Sequence, residues 1–179
     1  MKPAILVIDM LNDFVHGVLK VERAPRITPN IKRLLEHARR KGIPVIYTND
    51  SHLPKVDREF KVWPEHAVAG SWGAEVIEEL RPAEGDYIVR KRRYSAFYST
   101  DLDLLLRELE VDTLILTGLV TDVCVQHTAA DAFFRGYHII VPRDCVDSLT
   151  EERHLSALEY MKNIYGCEVV STDELLGRL

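Results

Sequence analysis

Thr113-Leu-Ile-Leu-Thr-Gly-Leu-Val-Thr-Asp-Val-Cys124 is an apolar, β-branched run broken by one glycine and followed by a change of periodicity. Thr113–Gly118 reads as a buried strand, short and ended by Gly118. From Cys124 to Arg135 the pattern is helical, and Gly136 stands where a helix takes its C-terminal cap. A strand that turns sharply into a helix is half of a β-α-β unit. The rest of the chain repeats that unit.

Five further runs read as strands: Ala4–Asp9, Ile43–Asn49, Tyr87–Arg90, His138–Pro142 and Cys167–Ser171. Between the first two, Thr28 reads as an N-cap with Pro29 at the first helical position. Ile31, Leu34, Leu35 and Ala38 then fall on one helix face, and Gly42 ends it. Gly73–Leu80, Thr100–Glu110, Cys124–Arg135 and Thr150–Tyr165 repeat the helical pattern. Strands alternating with helices require crossover connections and a parallel sheet covered on both faces. The expected fold is α/β: three αβα layers, a six-stranded, mostly parallel sheet, and one domain spanning residues 1–179. One irregular stretch, Asp50 to about Ser71, exceeds ordinary connection lengths and marks a functional loop.

The composition narrows the functional classes. A net charge of −5 gives no basic footprint for nucleic acid or an anionic membrane. No apolar run approaches a membrane span. Met1–Asp9 lacks the apolar length and cleavage site of a secretory signal. Three scattered cysteines without a C-x-x-C pair suit neither a disulfide framework nor a thiolate zinc site. A reducing cytoplasm is the expected location.

In an open α/β sheet, ligands bind outside the carboxyl ends of the strands. Those ends carry Asp9, then Asp50 with His52, then Lys91, then the turn leading to Cys124. A thiol in a first helical turn feels the positive end of the macrodipole, which favours thiolate; the alternative is a buried structural thiol. Asp9 ends an apolar strand and suits a base of raised pKa, or a turn cap. Lys91 either lowers the thiol pKa and holds a carboxylate, or belongs to a solvated basic run, Lys91-Arg-Arg93. Asp13 either caps its loop or meets substrate. Asp50 and His52 alternate on an extended segment and so face one side; His66 on the long loop supplies a third donor. Two imidazoles and a carboxylate suit a divalent metal, zinc, iron or manganese, or else are hydrogen-bonded loop residues.

These residues carry a resemblance. Val7-Ile-Asp-Met-Leu-Asn-Asp-Phe14, Lys91-Arg-Arg-Tyr-Ser-Ala-Phe97 with Thr100-Asp-Leu102, and Gly118 to Cys124 together resemble the isochorismatase-like cysteine hydrolases. The superfamily includes nicotinamidases, carbamoyl amidohydrolases and isochorismatases. The resemblance implies a triad of Asp9 as base, Lys91 as charge partner and Cys124 as nucleophile. It also implies a cis peptide at Leu119–Val120, and an oxyanion hole formed by the N–H groups of Val120 and Cys124. Among its members the chain is most similar to nicotinamidases, which places metal ligands at Asp50, His52 and His66, with zinc the first choice. Asp13, Phe14 and Trp63 then border the substrate. Where nicotinamidases commonly carry another His and a Cys, this chain has Lys55-Val-Asp57 and Ala67. The implied reaction is deamidation of a small planar carboxamide, nicotinamide first, by a homo-oligomer. A carbamoyl substrate, or a binding protein without catalysis, is the alternative.

Overall fold

A computed structural model describes residues 1–179. Seven strands form one sheet: β1 (Pro3–Ile8), β2 (Val45–Asp50), β3 (Tyr87–Lys91), β4 (Thr113–Leu119), β5 (His138–Pro142), β6 (Val146–Asp147) and β7 (Glu168–Val170). The spatial order is β3-β2-β1-β4-β5-β7, with β6 paired to the end of β4. Every pairing is parallel. The six expected strands are present, and β6 is the addition, a two-residue extension opposite Gly118 and Leu119.

The alternation of side chains along the strands builds a core on each face of the sheet. Along β1, Ala4, Leu6 and Ile8 point to one core, Ile5 and Val7 to the other. On β4, Leu114 and Leu116 join the first and Ile115 the second. Both strands are therefore apolar at nearly every position and lie at the centre. Helix α2 (Thr28–Lys41) covers one face with Ile31, Leu34, Leu35 and Ala38. The opposite face is covered by α3 (Leu102–Glu108), α4 (Gln126–Phe134) and α5 (Glu151–Tyr165). Two short helices complete the chain, α1 (Asn12–Val15) and α6 (Thr172–Leu176). No helix is long and apolar enough to cross a membrane.

Three local expectations change. Thr28 is not the N-cap of α2 but its first residue, and its hydroxyl donates back to the Ala24 carbonyl at 3.1 Å. Gly73–Leu80 is not a helix: 3-10 turns at Trp72–Ala74 and Glu78–Leu80 flank an extended piece. That piece gives its hydrogen bonds to the loop after β1, with Ile77 N–H donating to Met10 O and Asn12 N–H to Glu75 O. The helix holding Cys124 opens earlier, at Thr121, with a π turn over Thr121–Val125.

Candidate active site

Chain order and sheet order diverge at β1 and β4: the chain runs outward to β2 and β3, then returns to the other side of β1. The crevice at such a divergence is where α/β sheets bind ligands. Asp9 follows β1 there with φ +51°, a left-handed conformation that Asp tolerates better than most residues. Next to it β4 ends in Gly118, whose φ is +104°. A Cβ at Gly118 would lie 2.0 Å from the Ile8 carbonyl oxygen, so the two strand ends approach this closely only through glycine. The Leu119–Val120 peptide that follows is cis.

Asp9, Lys91 and Cys124 come together. From the end of β3, the Lys91 stem brings its Nζ within 2.8 Å of Asp9 Oδ2, 2.6 Å of Asp50 Oδ1 and 3.6 Å of Cys124 Sγ. The Asp50 N–H donates to Asp9 Oδ1 at 2.8 Å. All four residues are buried. With one ammonium between two carboxylates, burial and the Asp50 charge push Asp9 up to about 6, against the pull of Lys91. Burial acts on Asp50 too, but Lys91, His52 and His66 hold it well below the usual carboxylate range. Lys91 stays charged: burial opposes this, and Asp50 and Asp9 outweigh it.

The thiol differs from the expectation of a dipole-stabilised thiolate. Burial pushes Cys124 well above its ordinary value; Lys91 pulls it down, and Asp9 and Asp50 push it up again. Burial thus favours the protonated thiol, and the carboxylate of Asp9 lies within 4.8 Å of Sγ.

A second cluster shares Asp50. While Oδ1 faces Lys91, Oδ2 lies 3.5 Å from His52 Nε2 and 3.8 Å from His66 Nε2. A fourth donor, Glu59, puts Oε2 3.4 Å from His52 Nε2 and 3.9 Å from His66 Nε2. Metal–donor bonds of about 2.1 Å arranged tetrahedrally set donors about 3.4 Å apart, so this cage has roughly the right size for a divalent ion. His52 Nε2, which faces the cage, is buried without a hydrogen-bond partner, as a ligand lacking its ion would be. Burial and the Asp50 charge push Glu59 up to about 7. The residues present fit a metal.

Sequence reasoning missed Glu59, which lies in a 3-10 turn (Arg58–Lys61) inside the long loop. Its signal was spacing: Glu59 stands seven residues from both His52 and His66. Phe14 and Trp63 line a cavity of about 260 Å³ that also reaches Cys124, His66, Glu59, Tyr94 and Val120. Phe14 meets the His66 ring edge-on at 5.5 Å, and Trp63 donates from Nε1 to Tyr94 OH at 3.0 Å. Asp13 is not on this wall. Its Oδ2 accepts the Ala67 N–H at 2.8 Å, and Gly17 and Gly73 pack so closely on it that a Cβ at either would clash. Asp13 thus fastens the segment that carries His66.

Residues 3–174 match the isochorismatase domain, and the chain belongs to the isochorismatase family of hydrolases. In particular it is similar to N-carbamoylsarcosine amidase from Thermoplasma acidophilum, at 44% identity and a TM-score of 0.91, covering 97% of this chain and 98% of that one. It is similar also to nicotinamidase PncA from Bacillus subtilis, at 37% and 0.91, covering 96% and 100%. The pyrazinamidase of Pyrococcus horikoshii in complex with zinc matches at 31% and 0.88, covering 96% and 99%.

Proposed function

We propose that this protein is a cysteine amidohydrolase that hydrolyses a small planar carboxamide, nicotinamide being the first candidate, to the acid and ammonia. One observation carries the reading: a buried thiol and carboxylate that both contact one ammonium, next to a four-donor metal cage, on one small aromatic-lined cavity. Asp50, His52, Glu59 and His66 would hold the ion, with zinc preferred because the zinc-bound pyrazinamidase is among the related structures. When bound, it supplies a Lewis acid that anchors a polar atom of the substrate.

The chain's own residues perform the covalent steps. Asp9 takes the Cys124 proton as Sγ attacks the carboxamide carbon. Lys91 holds Asp9 in place and favours the thiolate as it forms. The N–H groups of Val120 and Cys124 receive the oxyanion, each on the order of 3 kcal/mol if aligned. Protonated Asp9 returns its proton to the departing nitrogen, releasing ammonia and leaving a thioester. Asp9 then deprotonates a water that attacks the thioester; the acid leaves, and the proton returns to Sγ. Phe14 and Trp63 flank the substrate's ring.

A second reading, a carbamoyl compound bearing a carboxylate, is favoured by Arg153 and Lys20 on the cavity wall. Arg153 is steadied through Nε by Asp122 at 2.5 Å. A panel of nicotinamide, pyrazinamide and N-carbamoyl amino acids, scored by ammonia release, separates the two. We expect Cys124→Ala to lose roughly 10⁴-fold or more in turnover with its circular dichroism unchanged. Retained turnover would end the thiol mechanism.

A further inference from the structure

Beyond the four donors lies a connected pair of charged residues that the reaction itself does not use. Asp57, its side chain fully buried, accepts from His52 Nδ1 at 2.8 Å and from the Leu53 N–H at 3.1 Å. Arg92, half-exposed, grips the same carboxylate: Nε lies 2.9 Å from Oδ1 and 3.1 Å from Oδ2, and a terminal nitrogen also bonds Oδ1. With Asp57 accepting at Nδ1, that nitrogen carries a proton, and Nε2 is the ring atom that faces Asp50 and Glu59. His66 is oriented differently, by a neutral acceptor: its Nδ1 meets the Pro64 carbonyl at 2.7 Å.

We propose that Asp57 and Arg92 are positioning residues that hold His52 in its Nε2-bare tautomer and so set the affinity of the cage for a divalent cation. The proposal rests on the metal reading above. Two features support it. Asp57 is a carboxylate, a stronger acceptor than a carbonyl, so it both orients the imidazole and raises its basicity as a ligand. Arg92 fixes that carboxylate through two of its nitrogens, a rigid grip that a single ammonium does not reproduce. The consecutive residues Lys91 and Arg92 thereby serve both centres from the end of one strand. Lys91 turns inward to Asp9, Asp50 and Cys124, and Arg92 reaches to Asp57. At this point of the loop an acid orients a ligand, while Glu59 two residues later supplies the fourth donor.

The test is a zinc titration of chelator-stripped, full-length protein in competition with a chromophoric chelator. It compares wild type, Asp57→Asn, Arg92→Leu and Arg92→Lys. Asp57→Asn should raise the zinc Kd by roughly 10–100-fold. Arg92→Leu should raise it less, and Arg92→Lys should recover part of that loss, which a merely structural role does not predict. ¹⁵N spectra of the zinc-loaded wild type should show His52 protonated at Nδ1. Should Asp57→Asn fail to fold, the Arg92 pair and the spectrum decide. Unchanged Kd in Arg92→Leu and Asp57→Asn, with wild type binding zinc, overturns this proposal alone. A wild type that binds no zinc overturns the metal reading and the proposal together.

Discussion

Replacing Lys91 by methionine removes one positive charge and leaves the buried Asp9 and Asp50 facing each other unpaired. Removing one partner of a buried ion pair costs about 3–5 kcal/mol, because the remaining charge is uncompensated. Lys91→Met should therefore lose stability of about that size in urea denaturation, besides losing turnover; a loss under 1 kcal/mol would mean that water reaches the carboxylates. The positions of Asp9, Lys91 and Cys124 were legible in the sequence because each follows a run that can only be a strand. The state of the thiol was not. It depends on burial and on three charges that meet only after folding. Glu59 and Asp57 escaped for another reason: they sit in a loop with no periodicity, where only spacing and chemistry could point to them.

At the level of elements, the strands were readable because β1 and β4 are buried on both faces and carry almost nothing polar. The extended piece around Val76 was misread as helix because Ile77 and Leu80, both buried, also fit a helical period. What decided it was a backbone bonding partner far away in sequence, the loop after β1. Helix α6 had a local signature that went unread: Ser171 accepts from the Glu174 N–H, and Glu174 bonds back to Ser171. The contact between β1 and β4 makes its own prediction. Gly118→Ala puts a methyl 2.0 Å from the Ile8 carbonyl oxygen at a positive φ. Two strand ends would have to separate, and the variant should lose more than about 4 kcal/mol or fail to accumulate as folded protein. A Tm within a few degrees of wild type would contradict the close approach.

Across the whole molecule, stability should depend on pH partly through His154. It sits in the first turn of α5 over the π turn, with Nδ1 2.9 Å from Thr121 Oγ1. Burial lowers its pKa below the ordinary 6.5, although Asp147 pulls the other way. Below pH 6.5 the unfolded chain therefore takes up a proton that the folded chain resists. The contribution is complete above 6.5 and is lost as pH falls through the folded value. Asp9 and Glu59, raised by burial, act in the opposite sense over the same window, so the comparison is between two proteins that share them: from about pH 7 to pH 5 the Tm of His154→Gln should rise relative to that of wild type; identical slopes would remove His154 from the account. The same global view explains how the sheet and its long loop divide the work. Between Asp50 and Tyr87 the chain leaves the sheet and returns to the neighbouring strand in register, Asp50 opposite Lys91. That excursion carries Glu59, Trp63 and His66, while β1 and β4 present Asp9 and Cys124 from the frame. Changing what the cavity accepts would therefore take alterations both in this loop and in the segments that bear Lys20 and Arg153, while Asp9 and Cys124 stay where the frame holds them.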